Sequence, residues 1–139
     1  MDSELYLDPA ETPTIDSIRA EAMRIRDAAG KLDLVVVDYI QLVDGSRGKG
    51  ETREGEIAKI SRGLKRMARE LNCPVITASQ LNEEGKTRES RAIVQDADAL
   101  IYITENGLRI GKLRNGQRDK VIPLYLNGSI QRFSQNSGR

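Results

Sequence analysis

Two short apolar runs, each followed by a polar side chain, constrain the fold of this chain more than any other feature. The first, residues 34–37, precedes Asp38, and the second, residues 74–79, precedes Gln80. One amphipathic segment of helix length separates them, so the pattern is strand, helix, strand. Apolar runs of this kind indicate parallel strands buried on both faces. Because parallel strands end at the same edge of a sheet, the sequence predicts that Asp38 and Gln80 share one edge.

This placement points to nucleotide chemistry. In nucleotide hydrolases an Asp after a buried strand holds the magnesium ion, and a polar residue after the next strand senses the terminal phosphate. An Asp at a strand end often only caps the chain, and such a Gln is often only surface, so their joint placement carries the interpretation. No G-x-x-x-x-G-K-[ST] loop is present. Residues 85–87 (GKT) are a poor substitute, because the motif would begin at Gln80 and two glutamates precede the GKT.

Chain length and charge limit the kinds of protein and partner that fit this sequence. The chain has 139 residues, enough for one domain with a core, and its 22 basic and 21 acidic residues nearly balance. The charge is unevenly spread: residues 1–30 carry three basic and seven acidic residues, and residues 107–139 carry seven basic and one acidic. The basic C-terminal third fits either an anionic partner or a solvated face.

The single cysteine and the lack of histidine exclude several site chemistries. Cys73 is expected to be a small core residue, and with no histidine a Cys–His nucleophile and the usual zinc sites are ruled out. One cysteine fits a reducing compartment. No apolar run approaches the roughly 20 residues of a membrane span, and the acidic N-terminus does not resemble a signal peptide. These features predict a cytoplasmic protein.

Periodicity predicts the remaining N-terminal elements. A short strand is expected at residues 5–7, and a helix between an N-cap at Thr14 and a C-cap at Gly30. Residues 44–55, rich in glycine, are predicted to form a flexible loop carrying three cationic side chains. A helix with an apolar stripe and a basic opposite face should follow. The cations of the loop are Arg47, Lys49 and Arg53, and the stripe is Ile57, Ile60, Leu64, Met67 and Leu71.

The C-terminal part changes character. After a polar connection over 82–92, a strand is predicted at 97–103, followed by a β-meander. The meander strands are expected at 108–113, 121–126 and 129–133, with turns at Asn115-Gly116 and Asn127-Gly128. Pro123 indicates that its strand lies at an edge or has one unpaired side. The predicted fold class is α/β, a single partial domain over 1–139 with a core over 1–104 and a meander over 105–139.

One hairpin places two cations on alternate residues before a tight turn. Lys112 and Arg114 lie within the segment GKLRNG and should point to the same side of their strand. They form either a charged hairpin face or a pair of cations that reaches a phosphate, on a neighbouring subunit for example.

At these residues the chain resembles a known family, the DnaB-type replicative DNA helicases of the hexameric, RecA-like superfamily. Residues 36–42 (VVDYIQL) resemble the family's Asp-Tyr-Leu-Gln-Leu segment, and residues 74–82 (PVITASQLN) its next strand motif. Residues 88–90 (RES), with 95–98 (QDAD), resemble its DNA-loop motif. The finger motif is similar to residues 111–116 and the closing strand to residues 127–133. The similarity runs in order along nearly the whole chain and implies an incomplete RecA-like P-loop NTPase core, a parallel sheet flanked by helices.

The resemblance implies a role for each matching residue. Asp38 would hold Mg²⁺, directly or through water, and Gln80 would contact the γ-phosphate of ATP. Lys112 and Arg114 would reach into the ATP site of the neighbouring subunit of a hexameric ring, Arg114 as an arginine finger. Single-stranded DNA in the ring channel would face the DNA-loop residues and the loop at 44–55: Arg88, Glu89, Arg91, Arg47, Lys49 and Arg53.

This sequence departs from the family pattern at several points, and these departures leave alternative functions open. The family's phosphate loop and catalytic glutamate have no counterpart in this sequence, and Arg91 replaces a glycine of the DNA-loop motif. The preferred interpretation is the C-terminal portion of a DnaB-like helicase motor, as a fragment or truncated product that does not hydrolyse ATP alone. The alternatives are a non-catalytic DNA-binding or ring-assembly module and a RecA-like recombination or loader ATPase.

Overall fold

A computed structural model describes residues 4–80 and 90–135. The chain divides into two compact units, Met1–Asp96 and Ala97–Arg139. Within the described residues no helix is long and apolar enough to span a membrane.

The N-terminal unit alternates helices with short strands. In chain order its elements are α1 (Ile15–Ala29), β1 (Val35–Val37), a 3₁₀ turn (Ile40–Leu42), α2 (Arg53–Leu71), β2 (Val75–Thr77) and α3 (Ser90–Asp96). The two long helices were predicted from periodicity. The short helix α3 was not, because its seven residues give too little periodic pattern.

Local capping chemistry sets the ends of the long helices. Thr14 accepts a hydrogen bond from the Ser17 amide, and the Ser17 hydroxyl accepts one from the Thr14 amide, which makes a reciprocal capping box. Gly30 ends α1 with φ at +77°, the left-handed conformation that glycine adopts without a Cβ penalty. The predicted caps of α1 are therefore confirmed. Thr52 caps α2 by accepting from the Gly55 amide at 3.1 Å.

The two strands of this unit pair in parallel, as the sequence predicted. The register joins Val35 to Val75 and Val37 to Thr77. The α/β fold class, with a parallel sheet flanked by helices, is confirmed. The predicted burial of both strand faces is wrong, because Val36 is 63% exposed and Ile76 is 56% exposed. The predicted strand at residues 5–7 is wrong: these residues are assigned to no strand, and Leu5 and Leu7 are over 80% exposed. A three-residue segment forms a strand only with a ladder partner, and the described residues supply none.

The core of the N-terminal unit forms along one face of α2. The predicted apolar stripe from Ile57 to Leu71 is buried, and it packs with Ile40 and Val43 from the segment after β1 and with Ile93 from α3. Burying a side chain of this size contributes about 1.5–3 kcal/mol, so this stripe fixes α2 against the sheet. The predicted core position of Cys73 is confirmed at 6% exposure.

Every strand pair among the described residues of the C-terminal unit is antiparallel. Its strands are β3 (Ala99–Thr104), β4 (Gly107–Leu113), β5 (Val121–Ile122), β6 (Leu124–Asn127) and β7 (Arg132–Gln135). They form one sheet in the order β3-β4-β5 and a separate β6-β7 hairpin. The predicted meander is present, and β3 is part of it through its pairing with β4. The expected boundary after residue 104 falls inside the β3–β4 hairpin, whereas the structure divides the chain after Asp96.

Three details of the meander differ from the prediction. The single strand predicted over 121–126 is divided at Pro123, which has no N–H to donate to a ladder, so β5 pairs with β4 and β6 with β7. The two-residue turn predicted at Asn127-Gly128 is a longer connection, because the closing pair is Asn127 with Arg132. Likewise, residues 114–120 separate β4 from β5, where a tight turn at Asn115-Gly116 was expected.

Candidate nucleotide and DNA-contact site

The carboxyl ends of β1 and β2 are joined beyond the ladder itself. The Thr77 hydroxyl donates to the Val37 carbonyl at 2.9 Å, and the Ile40 amide donates to the Ala78 carbonyl at 3.0 Å. These contacts hold the segments after the two strands side by side. Asp38 and Gln80 lie on those segments and are both exposed, so the structure brings them to one edge as predicted. We call residues 38–41 and 78–80 the strand-end edge.

The strand-end edge suits a magnesium ion that is shared with a nucleotide. Among the described residues no three His, Cys, Asp or Glu side chains cluster tightly enough to hold a metal by themselves. Mg²⁺ in nucleotide sites is usually bound by one or two carboxylates, with phosphates and waters completing the shell. The exposed carboxylate of Asp38 fits this role, because its oxygens remain accessible at the strand end.

The loop that follows the 3₁₀ turn after β1 carries two exposed cations. We call residues 44–51 the basic loop; Arg47 and Lys49 within it are exposed. Glu51 closes the loop, since its carboxylate accepts from the Gly48 amide at 3.0 Å and from Lys59 Nζ at 2.8 Å. Those hydrogen bonds, with that of Lys59 the strongest, lower the pKa of Glu51. The loop tip therefore carries its two cations on a backbone that is anchored at its C-terminal end.

The predicted position of Arg53 in the loop is wrong. Thr52 caps α2, so Arg53 begins the helix. Its Nη1 pairs with the Glu56 carboxylate at 2.7 Å, and its Nη2 donates to the Gln41 carbonyl at 2.7 Å. Arg53 is thus committed to contacts within the protein, and its predicted contact with DNA stays a prediction. Of the second predicted DNA segment, Arg91 is an exposed residue of α3, and Arg88, Glu89 and residues 85–87 lie outside the described residues.

The finger motif lies at the end of β4. Lys112 pairs with Leu100 of β3 and Ile110 with Ile101, so Gly111 is the extra residue of a β-bulge. A Cβ at Gly111 would overlap the Tyr102 ring. This bulge changes the local alternation of β4 just before the two predicted phosphate-binding cations, Lys112 and Arg114.

Arg114 follows the strand and is held by Asp98. Its amide donates to the Asp98 carbonyl at 2.8 Å, and its Nη1 lies 2.8 Å from the Asp98 carboxylate. Both side chains are about half exposed, at 55% and 54%, so the guanidinium remains accessible to an anion. These two residues line an open recess of about 470 Å³ together with Ala99, Leu113 and Asn115.

Sequence reasoning missed two of these partners. Asp98 was noted only as part of a motif, although its position opposite Arg114 follows once β3 and β4 are paired as a hairpin. Glu56 was not considered at all. Its spacing of three residues from Arg53 at a helix start is the signal that could have identified it.

Comparisons with known proteins agree with this architecture. The family model described as "DnaB-like helicase C terminal domain" matches residues 1–135. The chain is 34% identical to the replicative DNA helicase DnaB of Leifsonia xyli over 91% of its own length and 30% of that protein. It is 37% identical to the DnaB of Pasteurella multocida, covering 93% of this chain and 32% of that protein.

A solved structure gives the same result for the fold. The chain matches a DnaB-like replicative helicase, described with its interactions with primase, at a TM-score of 0.72 and 27% identity, covering 84% of this chain and 34% of the other. The chain therefore spans about a third of the length of the relatives that it matches. From the extent of the family match and the shared fold, this chain belongs to the DnaB-like helicase C-terminal domain family.

Proposed function

We propose that this chain supplies part of the motor of an ATP-dependent replicative DNA helicase that unwinds duplex DNA. The observation that supports the proposal is the strand-end edge, where Asp38 and Gln80 follow adjacent parallel strands, and the basic loop comes next in the chain after the first of them. In this proposal Asp38 would bind the metal, Gln80 would sense the phosphate and the cations of the basic loop would contact DNA, and all of these residues belong to the N-terminal unit. A cytoplasmic location goes with this function.

Each residue of the edge has a defined task in this proposal. Bound Mg²⁺ would neutralise charge on the ATP phosphates as they react. Asp38 holds that ion at the edge, and the amide of Gln80 contacts the γ-phosphate. The backbone hydrogen bond from Ile40 to Ala78 joins the two segments that carry Asp38 and Gln80, so it holds these segments at a fixed separation.

Lys112 and Arg114 serve a nucleotide bound to a neighbouring subunit of a ring. Arg114 is the finger, because its guanidinium is half exposed and its backbone is fixed to Asp98. Charge stabilisation by a correctly placed arginine is worth several orders of magnitude in phosphoryl transfer. This role requires a homo-oligomer, since the finger of one subunit acts on the ATP of the next.

The sequence contains no glycine-rich phosphate loop, and this favours a second candidate, a non-catalytic DNA-binding or ring-assembly module. The two candidates differ in whether ATP is hydrolysed when another protein segment supplies the phosphate loop. The helicase motor would hydrolyse it, and the non-catalytic module would not. Both predict that the chain alone shows no micromolar Mg-ATP site by calorimetry.

A chimera separates the two candidates. In it, this chain replaces the matching third of the Pasteurella multocida DnaB, which has 37% identity over that region. A helicase motor retains DNA-stimulated ATP hydrolysis in the chimera and loses it with Asp38→Asn or Arg114→Ala. A folded, ring-forming chimera without hydrolysis would support the non-catalytic module.

The DNA part is tested on the chain itself by fluorescence anisotropy with a single-stranded oligonucleotide across a salt series. We expect weak, sequence-independent binding whose affinity falls steeply with salt, because basic loops bind phosphate largely through counterion release. Reversing Arg47 and Lys49, or Arg88 and Arg91, to Glu should abolish it. Arg114→Ala should leave it unchanged, since the finger serves a nucleotide. Salt-independent binding, or equal loss in the Arg114 variant, would contradict this assignment.

A further inference from the structure

A continuous chain of polar contacts joins the strand-end edge to the base of the basic loop. Gln41 Nε2 donates to the Ser79 hydroxyl at 3.1 Å, next to the proposed phosphate sensor. The carbonyl of the same Gln41 accepts from Arg53 Nη2 at 2.7 Å. Arg53 Nη1 pairs with Glu56 at 2.7 Å, and the other oxygen of Glu56 accepts from the Gly45 amide at 3.2 Å. Five residues on four separate segments are thus linked without interruption.

The centre of this chain is a buried carboxylate. The Glu56 side chain is 6% exposed, and Arg53, at 36%, is its counterion. Burying a carboxylate is costly unless it is paired and hydrogen-bonded, and Glu56 satisfies both conditions by reaching the loop backbone. Replacing a whole buried pair with apolar residues is often neutral or stabilising, so stability alone does not account for the Arg53–Glu56 pair at this position.

The loop backbone is shaped to accept this contact. A Cβ at Gly45 would lie 2.5 Å from Glu56 Cγ, so only glycine allows the amide to approach the carboxylate. At Gly48 in the same loop a Cβ would meet its nearest atom at 3.8 Å, an ordinary contact. The close approach is therefore confined to the point where Glu56 binds the loop.

We propose that Glu56 and Arg53 are positioning residues that hold the basic loop in register with the strand-end edge. The inference rests on the proposed function, because it takes the basic loop as a DNA contact and the edge as a nucleotide contact. It assigns Arg53 a task other than binding DNA phosphate, and it leaves that contact to Arg47 and Lys49.

The test is the affinity of the chain for a single-stranded oligonucleotide, measured by anisotropy for Glu56→Ala and Arg53→Lys. Removing the Glu56 charge makes the region more positive, so electrostatics alone predicts tighter binding. Positioning predicts about three- to tenfold weaker binding, the effect of losing one or two hydrogen bonds that order the loop. Lysine preserves a phosphate contact but cannot bridge Glu56 and Gln41 as the guanidinium fork does, so Arg53→Lys should weaken binding similarly.

Three controls separate positioning from a general loss of structure. Leu71→Ala removes a buried side chain at the C-terminal end of α2, far from the basic loop in the sequence. It should leave the affinity for the oligonucleotide unchanged while circular dichroism shows that the chain remains folded. Gly45→Ala should weaken binding like Glu56→Ala, and Gly48→Ala should not. Hydrogen exchange at the Gly45 amide should accelerate in Glu56→Ala and be largely restored in Glu56→Gln, which keeps an acceptor oxygen.

The outcomes are distinct. Unchanged or tighter binding by Glu56→Ala, or wild-type binding by Arg53→Lys, overturns the positioning role while the proposed function stands. If reversing Arg47 and Lys49 leaves DNA binding intact, the basic loop is not a DNA contact and that part of the proposed function fails. Weaker binding in both positioning variants, with an unchanged Leu71→Ala control, supports the inference.

Discussion

Arg114 and Asp98 are joined twice, by a backbone hydrogen bond of 2.8 Å and by a side-chain ion pair of 2.8 Å. The backbone bond extends the β3–β4 pairing past the last residue of β4, and the ion pair then orients the guanidinium. The residue proposed as the arginine finger is therefore fixed at its main chain and held more loosely at its side chain.

The first prediction compares this ion pair with the one between Arg53 and Glu56. In double-mutant cycles with alanine, followed by urea unfolding, the half-exposed Arg114–Asp98 pair should give a coupling of about 0.2–1 kcal/mol. The Arg53–Glu56 pair should couple more strongly, because the Glu56 side chain is 6% exposed. Equal couplings would show that burial does not distinguish the two pairs.

The second prediction concerns the core stripe of α2. Ile57 is fully buried, so Ile57→Ala should lower the free energy of unfolding by about 2–5 kcal/mol and Ile57→Val by about 0.5–1.5 kcal/mol. Val36, 63% exposed on β1, is the matched control, and Val36→Thr should change the stability by less than about 0.5 kcal/mol. Urea denaturation measures all three, and a small effect of Ile57→Ala would mean that the stripe is not the core.

The third prediction uses two glycines of the same helix. A Cβ at Gly63 would lie 2.9 Å from Ile15 Cγ2 of α1, whereas a Cβ at Gly55 would have its nearest contact at an ordinary 3.4 Å. Alanine in a helix gains up to about 1 kcal/mol over glycine, but overpacking costs about 1–3 kcal/mol. We therefore expect Gly55→Ala to raise the thermal midpoint and Gly63→Ala to lower it. A rise in both would show that α1 and α2 can separate without cost.

The fourth prediction concerns Cys73. Burial raises the pKa of its thiol; Asp33 also raises it and Arg26 lowers it. The folded protein thus holds the proton more tightly than the unfolded chain, so the stability that this group contributes is fully present below the ordinary thiol pKa and is lost as the pH rises above it. Cys73→Ala should remove this part of the alkaline decline in urea stability.

The same burial predicts slow thiol chemistry. The Cys73 thiol should react with Ellman's reagent far more slowly in the native protein than in denaturant, because the thiolate is the reactive form and the side chain is 6% exposed. Rapid reaction of the native protein at neutral pH would contradict the core position.

Some parts of this structure were predictable because their causes are local. The apolar run before Asp38, the apolar stripe of α2 and the Thr14 and Gly30 caps each act within a few residues, so they can be recognised in the sequence. The parallel order of β1 and β2 followed as well, because a single helix connects two apolar strand segments. The shared edge of Asp38 and Gln80 came from the same argument.

Other parts were decided only by tertiary contacts. A short apolar segment becomes a strand only where a partner offers a ladder, so β3 joined β4, while residues 5–7 stayed exposed. Whether an arginine is available to DNA depends on which acceptors fold beside it. Arg53 pairs with Glu56 and donates to the Gln41 carbonyl. Local patterns thus determined the elements and their polar ends, and long-range pairing decided which of those polar groups remain available to a ligand.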